Sequence, residues 1–242
     1  KGAGFMVDEA KMALTDQGVV SHCLPMRRNV KIADAVVDSQ AFLGIEEEAA
    51  RFVIVMDISV TVVNAVKEAG SSMEAIKQEA MELVRSLNAN TLFGFIQHSR
   101  NFDPFQNNLI PATVPNKELA LEWLEEEFRT DGSGRGWPSP PQVGPHTNGI
   151  VPILDFTFDM QPDVIFLISD GGYFSNTDDG GSGPVPLGDV LELIRDRQKD
   201  LPDDARIHAI HFPDPRGIDD NRIGDRMRSI ATRNGGKYRR ID

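Results

Sequence analysis

Two short runs constrain this chain more than any other feature. Phe52–Met56 is apolar at every position and rich in β-formers, and Asp163–Ser169 (DVIFLIS) is a second run of the same kind. Continuous apolar runs of this length suit central strands covered on both faces, as in parallel sheets flanked by helices. Between and after them the pattern alternates. A helix is expected to open at Ser71-Ser72-Met73-Glu74, with Ser71 and Glu74 as a capping box and Met73, Ile76, Ala80, Leu83, Val84 and Leu87 on one face. Thr91–Gln97 reads as a strand and Leu109–Ile110 as a weak edge strand. Asn116–Phe128 reads as an amphipathic helix, and so does Thr147–Met160, where Pro152 is tolerable only in the first turn. After the second buried run come a Gly/Ser/Asp loop (171–183), a helix (187–198), a strand (206–212), a helix (219–233) and a last strand (237–241).

Alternating strands and helices predict an α/β fold, Rossmann-like and doubly wound, with a mostly parallel central sheet flanked by helices. The expected organisation is an N-terminal arm over residues 1–49, with a short helix at Ala10–Leu14 and a strand at Val30–Val37, followed by one domain over 50–242. The Gly/Pro-rich stretch Arg129–His146 falls inside the alternation and reads as an inserted loop. No internal repeat is visible.

Charge narrows the function. Lys and Arg number 25 against 37 Asp and Glu, a formal charge of −12, and phosphate binding needs the opposite balance. Nucleic acid is therefore disfavoured as a partner. The one cysteine, Cys23, rules out an intramolecular disulfide. No stretch approaches the roughly 20 apolar residues of a membrane span. The GSGRG of the Gly/Pro loop follows no buried strand and opens no helix, so it does not make a nucleotide-binding loop.

In a doubly wound sheet, sites form beyond the carboxyl ends of the strands. Both buried runs end there in oxygen donors, one in Asp57-Ile58-Ser59-Val60-Thr61 and the other in Ser169-Asp170-Gly171-Gly172. Gly144–Gly149 (GPHTNG) enters a helix from the long loop. Carboxylates and hydroxyls without His or Cys suit a hard divalent cation, Mg²⁺ above all, which takes one or two carboxylates and keeps several waters. Asp57, Ser59 and Thr61 are the expected ligands. Asp170 is expected close by, holding a coordinating water, and Thr147 is expected to add a hydroxyl. Such a site is under-filled by the protein and open to a carboxylate from elsewhere.

At these residues the chain resembles the von Willebrand factor A domain family, with its metal-ion-dependent adhesion site. The pattern Asp-x-Ser-x-Ser, a distant Thr, and Asp-Gly is met by DISVT, HTNG and ISDGG. RFVIVMD, DVIFLISDG, RIHAIHF and IATRNGGKY look like segments of bacterial members, as do LGIEEEAARFVIV and LIPATVPNKELALEWL. The likeness runs from about residue 51 to 241. It implies a non-enzymatic module for protein interaction, in which Mg²⁺ (or Mn²⁺ or Ca²⁺) is completed by an Asp or Glu of a protein partner. The bacterial likeness and a first residue other than Met imply an exported or membrane-anchored setting.

The chain departs from the family pattern in two places. Thr61 stands where Ser is usual, behind a stiff β-branched Val60. Residues Val62–Gly70 also look inserted ahead of the helix. Thr61 has the right local spacing. Ser72 is the alternative third hydroxyl if the insertion splits the motif, and a third reading is a site disabled by the insertion, which would leave a structural scaffold subunit.

Plainer roles compete at each position. Asp57 is the kind of residue that caps a turn, Ser169 suits satisfying loop backbone, and Asp178–Gly181 reads as a surface loop before a second cation loop. His98, His208 and His211 read as satisfied structural histidines. Trp137 is either a contact residue or packed under its loop. A phosphatase of the haloacid dehalogenase type also starts with a buried strand ending in Asp, but it needs a second acid two residues on, where this chain has Ser59.

Overall fold

The structure, a computed structural model, describes residues 51–134, 137–176, 181–214 and 220–241. The N-terminal arm with its expected helix and strand, Cys23, and Asp178-Asp179 lie outside the described residues.

Nine strands and six helices are described: β1 (Arg51–Asp57), α1 (Val60–Glu68), α2 (Met73–Ser86), β2 (Leu92–His98), β3 (Phe102–Pro104), β4 (Ile110–Pro111), α3 (Val114–Glu126), α4 (Ile150–Asp159), β5 (Val164–Ser169), β6 (Phe174–Asn176), β7 (Ser182–Pro184), α5 (Leu187–Gln198), β8 (Arg206–His211), α6 (Asp220–Arg233) and β9 (Tyr238–Arg240). The main sheet has the order β3-β2-β1-β5-β8-β9, with β4 also on β2. β1, β2, β5, β8 and β9 are mutually parallel, while β3 and β4 run antiparallel to β2.

The two apolar runs lie side by side at the centre, paired from Phe52↔Val164 to Met56↔Ile168. Their side chains alternate between two cores. Val53, Val55, Ile165 and Leu167 face Ile153 and Leu154 of α4, Val190 and Ile194 of α5, and Met227 and Ile230 of α6. Phe52, Val164 and Phe166 face the other way, with Phe93 and Phe95 of β2, onto Met81 and Val84 of α2 and Ala120 and Leu124 of α3. Covering on both faces explains why these strands show no polar alternation.

Several expected boundaries move. Ser72, not Ser71, caps α2, its hydroxyl accepting from the Ala75 amide at 3.1 Å. The stretch that looks inserted, residues 62–70, supplies most of a helix: α1 runs Val60–Glu68 and ends at the cap Ala69. The helix expected from Thr147 begins at Ile150, which leaves Pro152 in the first turn as required. Its cap is Gly149 at φ +83°, and a Cβ there would lie 2.4 Å from the Phe174 carbonyl oxygen, so no side chain fits. The 171–183 loop contains the β6–β7 hairpin, with Phe174↔Pro184 to Asn176↔Ser182 in register. Trp137 packs under its loop against the cluster around Met56 and Ile58.

Candidate metal centre

β1 leads outward to β2 on one side and β5 on the other, so the strand order reverses between β1 and β5. A crevice is expected beyond their carboxyl ends. Asp57 is the last residue of β1, and Asp170 directly follows β5. Both are buried, each 6% exposed.

Asp57 is held by both oxygens. Oδ1 accepts from the Ser59 amide at 2.9 Å, and Oδ2 accepts from the Ser169 hydroxyl at 2.7 Å. The Ser169 hydroxyl also accepts from the Gly171 amide at 3.0 Å. Ser169 therefore satisfies loop backbone as expected, and in addition orients Asp57, a role the sequence reading did not assign. Its signal is positional: Ser169 is the parallel-strand neighbour one step beyond the Met56↔Ile168 pair.

Ser59 stands at the N-cap of α1, yet its side chain makes no capping hydrogen bond. Its hydroxyl lies 3.0 Å from that of Thr61 instead. Thr61 in turn lies near Asp170 and acts to lower its carboxyl, and Asp170 Oδ1 accepts from the Gly172 amide at 2.8 Å. Asp57, Ser59, Thr61 and Asp170 are thus joined in one oxygen-rich network.

The network is electrostatically unbalanced. Burial pushes the Asp170 carboxyl up from 3.8 to about 6, and the charges of Asp57 and then Asp214 add to the rise against the hydrogen bonds from Thr61 and Gly172. Asp214, on the segment leaving β8, is a residue the sequence reading missed. The end of β8 beside β5 was the signal available. Beneath the network, Tyr173 is buried and its hydroxyl is held protonated, by burial first and the Asp57 charge second. It donates to Met227 Sδ at 2.8 Å.

Thr147 is half-buried on the segment entering α4. Among the described residues no hydrogen bond joins it to the other four. It shares their edge of the sheet through Gly149, whose amide donates to the Arg100 carbonyl at 2.7 Å, two residues past the Asp57↔His98 pair. Ser72 caps α2 beyond the far end of α1, a nine-residue helix of roughly 13 Å.

The histidines divide. The His208 ring accepts from the Lys237 amide at 3.1 Å and stacks on Phe166, and burial lowers it to about 4. His211 Nδ1 meets the Tyr238 hydroxyl at 2.8 Å. His98, 1% exposed, meets the Ser99 carbonyl through Nδ1 at 3.3 Å, while among the described residues its Nε2 has no hydrogen-bond partner, so it is satisfied on one side of the ring. Among the described residues no three His, Cys, Asp or Glu side chains are grouped to hold a metal. Any ion here therefore draws on the hydroxyls as well as on two carboxylates. All donors are oxygen, two are anionic, and the Ser59 hydroxyl is not taken up by capping, a set that fits a hard divalent cation.

No family model matches the chain. It is similar over short stretches to N-acetylornithine carbamoyltransferases. That of Xanthomonas campestris pv. campestris is 65% identical over 43 residues, 18% of this chain and 13% of that protein. That of Xylella fastidiosa (strain Temecula1) is 60% identical over 47 residues, 19% of this chain and 14% of that protein. The chain spans less than two thirds of these relatives, and so short a match carries no activity over. Solved structures match at much greater extent. The von Willebrand factor type A protein from Catenulispora acidiphila has a TM-score of 0.50 at 16% identity, over 79% of this chain and 38% of that one. The pilus adhesin SpaC from Lactobacillus rhamnosus GG has a TM-score of 0.51 at 11% identity, over 81% of this chain and 29% of that one. At such identities the likeness speaks for the fold alone. With its parallel five-strand centre and helices on both faces, the described part of the chain has the fold of a von Willebrand factor type A domain.

Proposed function

We propose that this chain is a binding module, not an enzyme, built around a divalent cation: Mg²⁺ first, with Mn²⁺ or Ca²⁺ as alternatives. Asp57, Ser59 and Thr61 would hold the ion, with Thr147 and Asp170 acting directly or through water. When bound, the cation supplies an electrophilic centre that accepts an Asp or Glu side chain from a protein partner. One observation carries this reading. Two buried carboxylates are packed together with two hydroxyls, one of which is spared from the capping duty its position offers. Uncompensated charge at such burial is costly, and a cation relieves it.

The chain's own residues divide the work. Ser169 and the Ser59 amide fix the Asp57 carboxylate. Thr61 is tied to Ser59 and acts on the nearby Asp170 carboxyl. Val60 and Phe174, 58% and 48% exposed, offer apolar surface on the segments leaving β1 and β5. With a formal charge of −12, the protein would repel an acidic partner without the ion. The name of SpaC, a pilus adhesin, accords with an interaction role and an extracytoplasmic setting. No described helix is long and apolar enough to cross a membrane.

The scaffold reading with a vestigial site rested on the insertion after Thr61. That segment folds into α1 starting at Val60, and Asp57, Ser59 and Thr61 remain linked. The phosphatase reading gains nothing, since the Ser59 hydroxyl, where a second acid is needed, is bonded to Thr61.

Thermal unfolding in EDTA, Mg²⁺, Mn²⁺ and Ca²⁺ tests the proposal. A ligand that binds only the folded state raises its stability by mass action, by about 2.7 kcal/mol at a hundred times Kd. The melting temperature is expected to rise with metal and not to rise in Asp57→Ala. Equal curves for the two proteins at millimolar metal would overturn the metal centre.

A further inference from the structure

One rung of the sheet sets a histidine beside the centre. β1 and β2 run parallel and in register to their ends, and the last pair is Asp57↔His98. The Ile58 amide donates to the His98 carbonyl at 2.7 Å, which holds the two strand ends together. Side chains alternate along a strand with a period of two. Val55 and Ile96, partners two residues earlier, both enter the core beneath α4. Asp57 and His98 therefore leave the sheet on that same face, from strands about 4.8 Å apart. On the other side of Asp57, at the end of β5, Ser169 donates to Oδ2. Asp57 thus stands between a serine that already bonds it and a histidine that does not.

Only one nitrogen of the His98 ring is engaged. Nδ1 lies 3.3 Å from the Ser99 carbonyl oxygen. A carbonyl only accepts, so this bond places the ring proton on Nδ1 and leaves a lone pair at Nε2. The side chain is 1% exposed, and among the described residues Nε2 meets no donor. A buried acceptor without a donor is costly. A ring that gives its Nδ1 proton to a backbone carbonyl and keeps Nε2 free has the tautomer suited to a metal centre. Among the described residues His98 does not join Asp57 and Asp170 in a group of three able to hold an ion directly. The donor that suits Nε2 is therefore a water on the ion.

We infer that His98 is a positioning residue of the ion site: its Nε2 accepts a hydrogen bond from a water on the ion that Asp57 holds, and so fixes that water on the β2 side of the centre. The inference rests on the metal centre proposed above. A divalent cation polarises its waters and makes them strong donors, and Mg²⁺ keeps several of them. Outer partners of this kind are worth roughly 10–100-fold in metal affinity. His98 has the opposite effect on the metal-free protein. There Nε2 is a buried acceptor without a donor, so an apolar ring of similar size in its place removes a cost and adds none. Opposite signs for metal affinity and for metal-free stability separate a role at the site from a role in packing.

Isothermal titration calorimetry of Mg²⁺ into metal-free protein tests this, with wild type, His98→Phe, His98→Gln and Asp57→Ala side by side. His98→Phe is expected to bind roughly tenfold more weakly than wild type and, metal-free, to melt no lower. His98→Gln, whose amide oxygen supplies an acceptor where Nε2 stood, is expected to recover most of the lost affinity. Nitrogen-15 NMR of the wild-type ring adds a readout that needs no variant at position 98. The His98 Nε2 resonance should move on adding Mg²⁺, as its lone pair takes up a hydrogen bond, and should not move in Asp57→Ala. With no binding in Asp57→Ala, an unmoved Nε2 resonance in wild type or wild-type affinity in His98→Phe would overturn the role of His98 and leave the site standing. Equal binding by wild type and Asp57→Ala would overturn both.

Discussion

Asp170 carries most of the chemistry at the residue scale. It is buried, it faces Asp57, and its carboxyl is raised from 3.8 to about 6 by burial and by neighbouring negative charge. A raised carboxyl means that the folded state binds the extra proton between those two values. Its contribution to stability is therefore present below pH 4 and is lost as pH rises through 6, by roughly 3 kcal/mol in all. In EDTA, chemical denaturation from pH 4 to 7.5 should show this loss in wild type relative to Asp170→Asn, in which the group cannot ionise. With saturating Mg²⁺ the wild-type loss should shrink, because the cation balances the charge. A difference between the two proteins that is flat with pH would mean that Asp170 stays ionised throughout. Ser169 shows a quieter kind of role at this scale: one hydroxyl donates to Asp57 and accepts from Gly171, tying strand end to turn.

Among the elements, α1 and α2 decide which hydroxyl can take part in the site. α1 begins at Val60, so Ser59 and Thr61 bracket its first residue and remain beside Asp57. α2 begins a full helix later, and its cap, Ser72, spends its hydroxyl on the Ala75 amide. Ser72→Ala should then cost about 1 kcal/mol, the usual price of a lost N-cap, and should leave the metal-induced rise in melting temperature unchanged. Loss of that rise in Ser72→Ala would make Ser72 the third ligand in place of Thr61. The β6–β7 hairpin matters at this scale too. The Asn176 amide donates to Asn148 Oδ1 at 2.8 Å, so the hairpin braces the segment that carries Thr147.

Over the whole molecule, stability and site are separable. Phe93 is fully buried on the β2 side of the sheet, stacked on Phe105 and packed among residues of α2 and α3. Phe93→Ala should cost about 3–5 kcal/mol, read by urea unfolding. The stabilisation gained on adding Mg²⁺ should stay the same, since distant sites with no shared partner add. A metal effect that disappears with Phe93→Ala would show that core and site act as one unit.

The central strands, their burial on both faces, the parallel sheet and the residues Asp57, Ser59 and Asp170 at its edge were legible in the chain itself. Those features follow from local signals: apolar run length, helical spacing, and polar residues placed where a strand must stop. Other features depend on neighbours distant in sequence. Ser169 orients Asp57 across 112 positions of chain. The Asp214 charge acts on Asp170 only because β8 lies beside β5. Gly149 is required because the Phe174 carbonyl comes close to it. Residues 62–70 look inserted, yet 62–68 belong to α1, whose Val62, Ala65 and Val66 find an apolar surface on Met56, Ile58 and Ile210. Periodicity reports what a segment does with its own backbone. Only the packed sheet decides which strand ends meet, and hence which charges share a site.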